Sequence, residues 1–189
     1  MVKISEFFES AEKSKVEFYN EFNFQHEIGF WLRKKLNKKY KVEFERNVDH
    51  FGLTKSEFPK KEIDLVIYEK DKRIKYAIEL KFPTNGQYPE QIYKSFQDIK
   101  FLEQLVKKGF KCWFIFLTRD KLFYEGKTEG IYKYFRKPKE NPINGKISKP
   151  TGTSMDSIVI QGSYKIKWQN LENRMKYFCI RIKLKNRKK

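Results

Sequence analysis

The stretch from Lys61 to Lys81, KEIDLVIYEKDKRIKYAIELK, constrains the fold more than any other part of the chain. Two β-branched, alternating runs stand on either side of a polar segment around Lys70, Asp71 and Lys72. Such runs read as strands, and the polar segment as the turn of a hairpin. Side chains alternate between the faces of a strand, so Glu79 and Lys81 share one face. If the hairpin closes between Asp71 and Lys72, Asp64 lies directly opposite Glu79 on that face. Ile63, Leu65 and Ile67, with Tyr76, Ile78 and Leu80, then form an apolar opposite face. Two carboxylates beside an ammonium group suit a hard divalent cation and a charged partner for a nucleophile or a phosphate. The plainer alternative is a solvated carboxylate pair offset by a nearby lysine. Glu-x-Lys is common in a chain this charged, and it recurs at Glu125-Gly126-Lys127 with no such context.

The flanking pattern is that of an α/β chain. Pro83, Asn85, Gly86 and Pro89 break the second run. From Glu90 to Lys108, Ile92, Phe96, Ile99, Leu102, Leu105 and Val106 fall at helical spacing, and Gly109 stands where a helix-ending glycine belongs. The run CWFIFL, Cys112 to Leu117, reads as a strand buried on both faces. Upstream, Ile4, Phe7, Phe8 and Ala11 predict one helix. Phe24, Ile28, Trp31, Leu32 and Leu36 predict a second, with Asn23 as its N-cap. Tyr40, Val42 and Phe44 predict a strand, and residues 52–60 a loop. Residues 136–157, with three prolines and two glycines, read as a long loop excursion. Ser157 to Ile166 and Met175 to Leu184 read as strands, and Lys185 to Lys189 as a basic tail. The expectation is one domain over residues 1–189. Its fold is α/β, a central mixed β-sheet flanked by helices, with an extra β-rich C-terminal segment.

Charge narrows the partner. Lys plus Arg is 42 against 24 Asp plus Glu, a net +18 over 189 residues, which attracts a polyanion. A ribosome-like or membrane-surface protein would share that charge. Aromatics at 17 % supply burial that a disordered basic tail lacks. No run of about 18 apolar residues is present, so no transmembrane helix is expected. The first fifteen residues lack the apolar region of a signal peptide. Cys112 and Cys179 sit in apolar runs, as expected of reduced thiols in a cytoplasmic protein. Two histidines and two scattered cysteines do not suit a structural zinc site, and no phosphate-binding G-x-x-x-x-G-K-[ST] loop occurs.

The order of elements is a helix with a glutamate, a strand, EIDLVI, a loop, a strand ending IELK, then an amphipathic helix. It resembles the PD-(D/E)xK nuclease superfamily, which includes many restriction endonucleases and Holliday-junction resolvases. The resemblance spans about Phe24 to Leu117, half of the chain, and departs at Ile63, where the name has proline. It implies a restriction-endonuclease-like core. Asp64 and Glu79 would be metal ligands, Lys81 the catalytic lysine, and Glu27 a further ligand from the preceding helix. The backbone carbonyl of Leu80 would be another oxygen ligand.

The expected function is hydrolysis of DNA phosphodiester bonds by a Mg2+-dependent endonuclease of restriction or repair type, with Mn2+ as a substitute metal. The expected partner is DNA, double-stranded by resemblance, with a homodimer left open. Arg136, Lys137, Lys139, Lys146 and Lys149 are the candidate contacts to the DNA backbone. Glu62 is expected to pair with Lys81. Glu45, Arg46, Gln87 and Gln91 are expected to border the site, and His26 to be structural or on the surface. Two other readings stay open. One is a non-catalytic nucleic-acid-binding protein on a nuclease-like scaffold. The other is an RNA-binding module whose aromatics, Phe123, Tyr124, Tyr132, Tyr134 and Phe135, stack on bases.

Overall fold

Ile4, Phe7, Phe8 and Ala11 point one way along the first helix, α1 (Ile4–Lys13), and all four are buried. The computed structural model describes residues 3–150 and 156–184. The expected basic tail lies outside the described residues. The second helix, α2 (Glu21–Lys35), starts earlier than expected: its N-cap is Asn20, whose side chain accepts from Asn23 N–H at 2.7 Å. That shift brings Glu21 into the first turn.

Strands β1 (Tyr40–Asn47), β2 (Glu62–Glu69) and β3 (Lys75–Lys81) form an antiparallel meander. The β2–β3 register pairs Leu65 with Ile78 and Val66 with Ala77, and the same register sets Asp64 opposite Glu79. Helix α3 (Tyr88–Lys107) then carries the chain to β4 (Lys111–Thr118), which runs parallel to β3. Gly109 follows α3 with φ +85°, a conformation that L side chains resist. Its N–H caps Val106 O while Phe110 N–H reaches Leu105 O.

A short helix, α4 (Lys133–Arg136), precedes β5 (Ile143–Ser148) and β6 (Ser157–Tyr164). These two strands pair with each other as a separate two-stranded sheet. The excursion expected over 136–157 is therefore not loop throughout: it begins in α4 and contains β5. Finally β7 (Gln169–Asn170) and β8 (Lys176–Ile182) join the main sheet. Its order is β1-β2-β3-β4-β8-β7, with β3 and β4 parallel and every other pair antiparallel.

The molecule is α/β, a mixed central sheet flanked by helices. One face packs on α1 and α2 through Leu65, Ile67, Ile78, Leu80, Ile115 and Leu117. The other packs on α3 through Val66, Ala77, Phe114, Phe116, Phe178 and Ile180. Burial of β2, β3 and β4 on both faces accounts for their continuous apolar runs. The aromatics considered for base stacking are largely core. Phe123 and Phe135 are buried, and Tyr134 packs edge-on against Phe96. No helix among the described residues is long and apolar enough to cross a membrane. Both cysteines are free thiols, and burial pushes the Cys179 thiol up to about 12.

Candidate metal and phosphate centre

Alternation along β2 and β3 turns Asp64, Glu79 and Lys81 toward the α3 face, at the C-terminal end of the parallel β3–β4 pair. Each carboxylate is anchored by one oxygen. Glu79 Oε1 accepts from Asp64 N–H at 3.2 Å, and Asp64 Oδ2 accepts from Leu80 N–H at 2.9 Å. Each turns its other oxygen to one common point. Lys60 Nζ sits at that point, 2.5 Å from Asp64 Oδ1 and 2.5 Å from Glu79 Oε2. The centre therefore holds one cation between two carboxylate oxygens, and here the cation is an ammonium.

Lys81 is held separately, 3.3 Å from Glu21 Oε1 on α2 and 3.6 Å from Asp98 Oδ2 on α3. The other Glu21 oxygen accepts from Phe82 N–H at 2.8 Å. Four carboxylates, Asp64, Glu79, Asp98 and Glu21, thus surround two ammonium groups. Glu79 is fully buried, and its carboxyl is held well above the ordinary carboxylate range, by burial first and then by Asp64. Asp98 is raised to about 6, chiefly by burial, with Lys81 and Lys60 drawing it back. For both lysines burial works against the charge, yet the carboxylates prevail and their pKa values rise.

Helix α2 lies close enough to reach the centre because Gly29 faces the Phe44 ring. A Cβ there would collide with that ring. Gln25 follows Glu21 by one turn and donates to the backbone carbonyl of Asp64 and, at 2.7 Å, to Glu45 Oε1. Glu45 stands in the β1–β2 register opposite Asp64, with φ +47°, a strained value for a strand residue.

Several expected residues lie elsewhere. Glu27 is six residues beyond Glu21 and two beyond Gln25, so it points about 120° or more away from both. The α2 glutamate at the centre is Glu21. Glu62 is exposed, and Lys81 pairs with Glu21 and Asp98 in its place. Gln91 braces the loop after β3 through Asn85 at 3.0 Å. Leu80 contributes its N–H to Asp64.

Arg136 is committed to the fold. It donates to Leu122 O and to Lys127 O, and its guanidinium stacks 3.8 Å over the Tyr132 ring. It is therefore a clasp and not a free phosphate contact. Lys137, Lys139 and Lys146 are exposed, and Lys149 is half-buried beside the β5–β6 hairpin. His26 lies against Phe22 and Phe44, a packing role.

No group of three or more His, Cys, Asp or Glu side chains arranged to hold a metal occurs among the described residues. Asp64 and Glu79 together supply two converging hard oxygens. That donor set suits Mg2+, which binds through one or two carboxylates and keeps several waters. Comparison with protein-family models, curated proteins and solved structures found no match.

Proposed function

We propose that the protein is a Mg2+-dependent endonuclease of the PD-(D/E)xK type, acting on DNA. The observation that carries this reading is the convergence of Asp64 Oδ1 and Glu79 Oε2 on one cation position, with the Lys81 ammonium alongside. A bound Mg2+ would supply Lewis acidity and a water of lowered pKa. Asp64 and Glu79 would hold it, each already oriented by a backbone N–H. Lys81, kept charged by Glu21 and Asp98, would stabilise negative charge on the phosphate as it builds. Gln25 and Glu45 would keep the Asp64 segment in place from the opposite side. A net charge of +18 favours a polyanionic substrate.

The test is plasmid nicking by the full chain with Mg2+. Asp64→Asn, Glu79→Gln and Lys81→Met should each slow nicking by at least about a hundredfold, the scale of losing one preorganised charge stabiliser. Circular dichroism should report a retained fold. Variants that nick at the wild-type rate would end the assignment.

A second reading is favoured by one observation. Lys60 already neutralises Asp64 and Glu79, so the same scaffold is electrostatically complete without a metal. A non-catalytic nucleic-acid-binding protein would have this property. Wild-type protein that binds DNA and nicks none, with Mg2+ or Mn2+, selects it.

A further inference from the structure

A cleft of about 480 Å3 opens at the end of the main sheet, lined by Arg119, Lys121, Tyr124, Asn170, Arg174 and Lys176. We propose that it is a second, phosphate-backbone site for the nucleic acid, distinct from the centre at Asp64 and Glu79. This inference rests on the nucleic-acid reading above.

Position is the first argument. Lys176 pairs in register with Thr118, just beyond the Lys81–Phe116 row at the C-terminal end of β3 and β4. By alternation with Phe178 and Ile180, Lys176 is on the same face of the sheet as Glu79 and Lys81. It stands two strands away from Lys81, roughly 10 Å by strand spacing. That span matches about three base-pair steps of a nucleic-acid strand. Arg119, at the rim of the same cleft, is held in place by donating to Phe18 O and by lying 5.6 Å over the ring of Phe82, the neighbour of Lys81.

Chemistry is the second argument. Four cationic side chains line one concavity, against the single carboxylate of Glu125. No carboxylate among the described residues forms an ion pair with Lys121, Arg174 or Lys176. Lys176 Nζ rests 4.1 Å over the Tyr124 ring, and the Asn170 amide adds a donor suited to phosphate or sugar oxygens. Arg174 is held in a tight turn between β7 and β8, where it and Asn173 have φ of +61° and +56°. The turn closes through Leu171 N–H to Met175 O at 2.9 Å. The hairpin tip thus presents an exposed guanidinium at a position where glycine would be relaxed.

The test compares two charge-matched triple variants of the full chain, after confirming that each melts like wild type. One carries Lys121→Gln, Arg174→Gln and Lys176→Gln. The other carries Lys34→Gln, Lys38→Gln and Lys107→Gln, exposed lysines at and just beyond the C-terminal ends of α2 and α3. Binding to a labelled duplex is followed by anisotropy, with Ca2+ replacing Mg2+, across a range of salt concentrations. The cleft variant should bind at least about tenfold more weakly at moderate salt, with a log–log salt slope shallower by up to about 2.7. The second variant should lose less than about threefold. Equal losses, or wild-type binding by the cleft variant, overturn the cleft while leaving the nuclease reading intact. Wild-type protein that binds no duplex at any salt brings down the nuclease reading and the cleft together.

Discussion

Lys60 keeps two buried carboxylates from repelling each other, and any divalent cation at Asp64 and Glu79 must first move its ammonium. Lys60→Met should therefore tighten Mn2+ or Ca2+ binding, by about tenfold if the displaced contact is worth roughly 1.4 kcal/mol. Titration calorimetry on the two proteins measures it, and a weaker site in the variant would mean that Lys60 helps to hold the metal. At this scale Asp64, Glu79 and Lys81 were legible. A period of two and a polar turn determine which side chains face each other, and both signals are local. Glu21 and Asp98 were not, because two helices deliver them from separate stretches, and Lys60 was not, because it stands in the irregular segment before β2, where a period of two says nothing about direction. With the cap expected at Asn23, Glu21 falls outside the helix and Glu27 is the glutamate it carries. Only the Asn20 cap shows which turn of α2 faces the sheet.

Among elements, α3 does most to join the parts. Its Ile92, Phe96, Ile99 and Leu102 cover one sheet face, as their spacing implied. Its Glu103, 1 % exposed, is harder to anticipate. It accepts from Gln161 N–H at 3.0 Å, Gly162 N–H at 2.6 Å and the Tyr164 hydroxyl at 3.0 Å. Nothing in the sequence marks a charged residue in an apolar helix face as an anchor for a strand 58 residues later. Glu103→Ala leaves the buried Gly162 N–H without its acceptor and removes a partner from Gln161 N–H and the Tyr164 hydroxyl, and should lower unfolding free energy by about 2 kcal/mol or more. Glu103→Gln should lose less. Urea denaturation monitored by tryptophan fluorescence checks both, and an unmoved midpoint for the alanine variant would remove this anchoring role. The β5 strand escaped notice for a related reason. Prolines and glycines around it read as loop, and Gly145 does break the ladder, with φ +68° and a register shift. The pairing with β6 is what makes the segment a strand.

Over the whole molecule, charge is distributed unevenly. A net +18 surrounds a centre in which four carboxylates outnumber two ammonium groups. On the proposed function, the long-range field would draw in a polyanion, while the local field would favour a cation at the point of cleavage. Association with duplex DNA should accordingly slow at least about tenfold between low and physiological salt, the ordinary behaviour of steered encounters. Stopped-flow mixing measures the rate, and a salt-independent rate would assign the charge to some other purpose. The α/β class and the order of elements from α1 to β4 were readable from periodicity, whereas α4, β5 and the short β7 were not. The Arg136 clasp was not, since a guanidinium that folds back on carbonyl oxygens resembles a free one in sequence.

The β2–β3 hairpin also bears on the order in which the chain assembles. Asp64 and Glu79 are fifteen residues apart, and closing so short a loop is among the fastest events in folding. Local closure thus brings the two acids together without help from α3, β8 or the β5–β6 hairpin, which exclude water around them in the folded protein. Lys60 lies four residues before Asp64, inside the same local unit. Glu21, Asp98 and the contacts of Lys81 require distant chain to arrive first. The nascent hairpin thus carries its own neutralising charge, and the centre can be built without waiting for a metal ion.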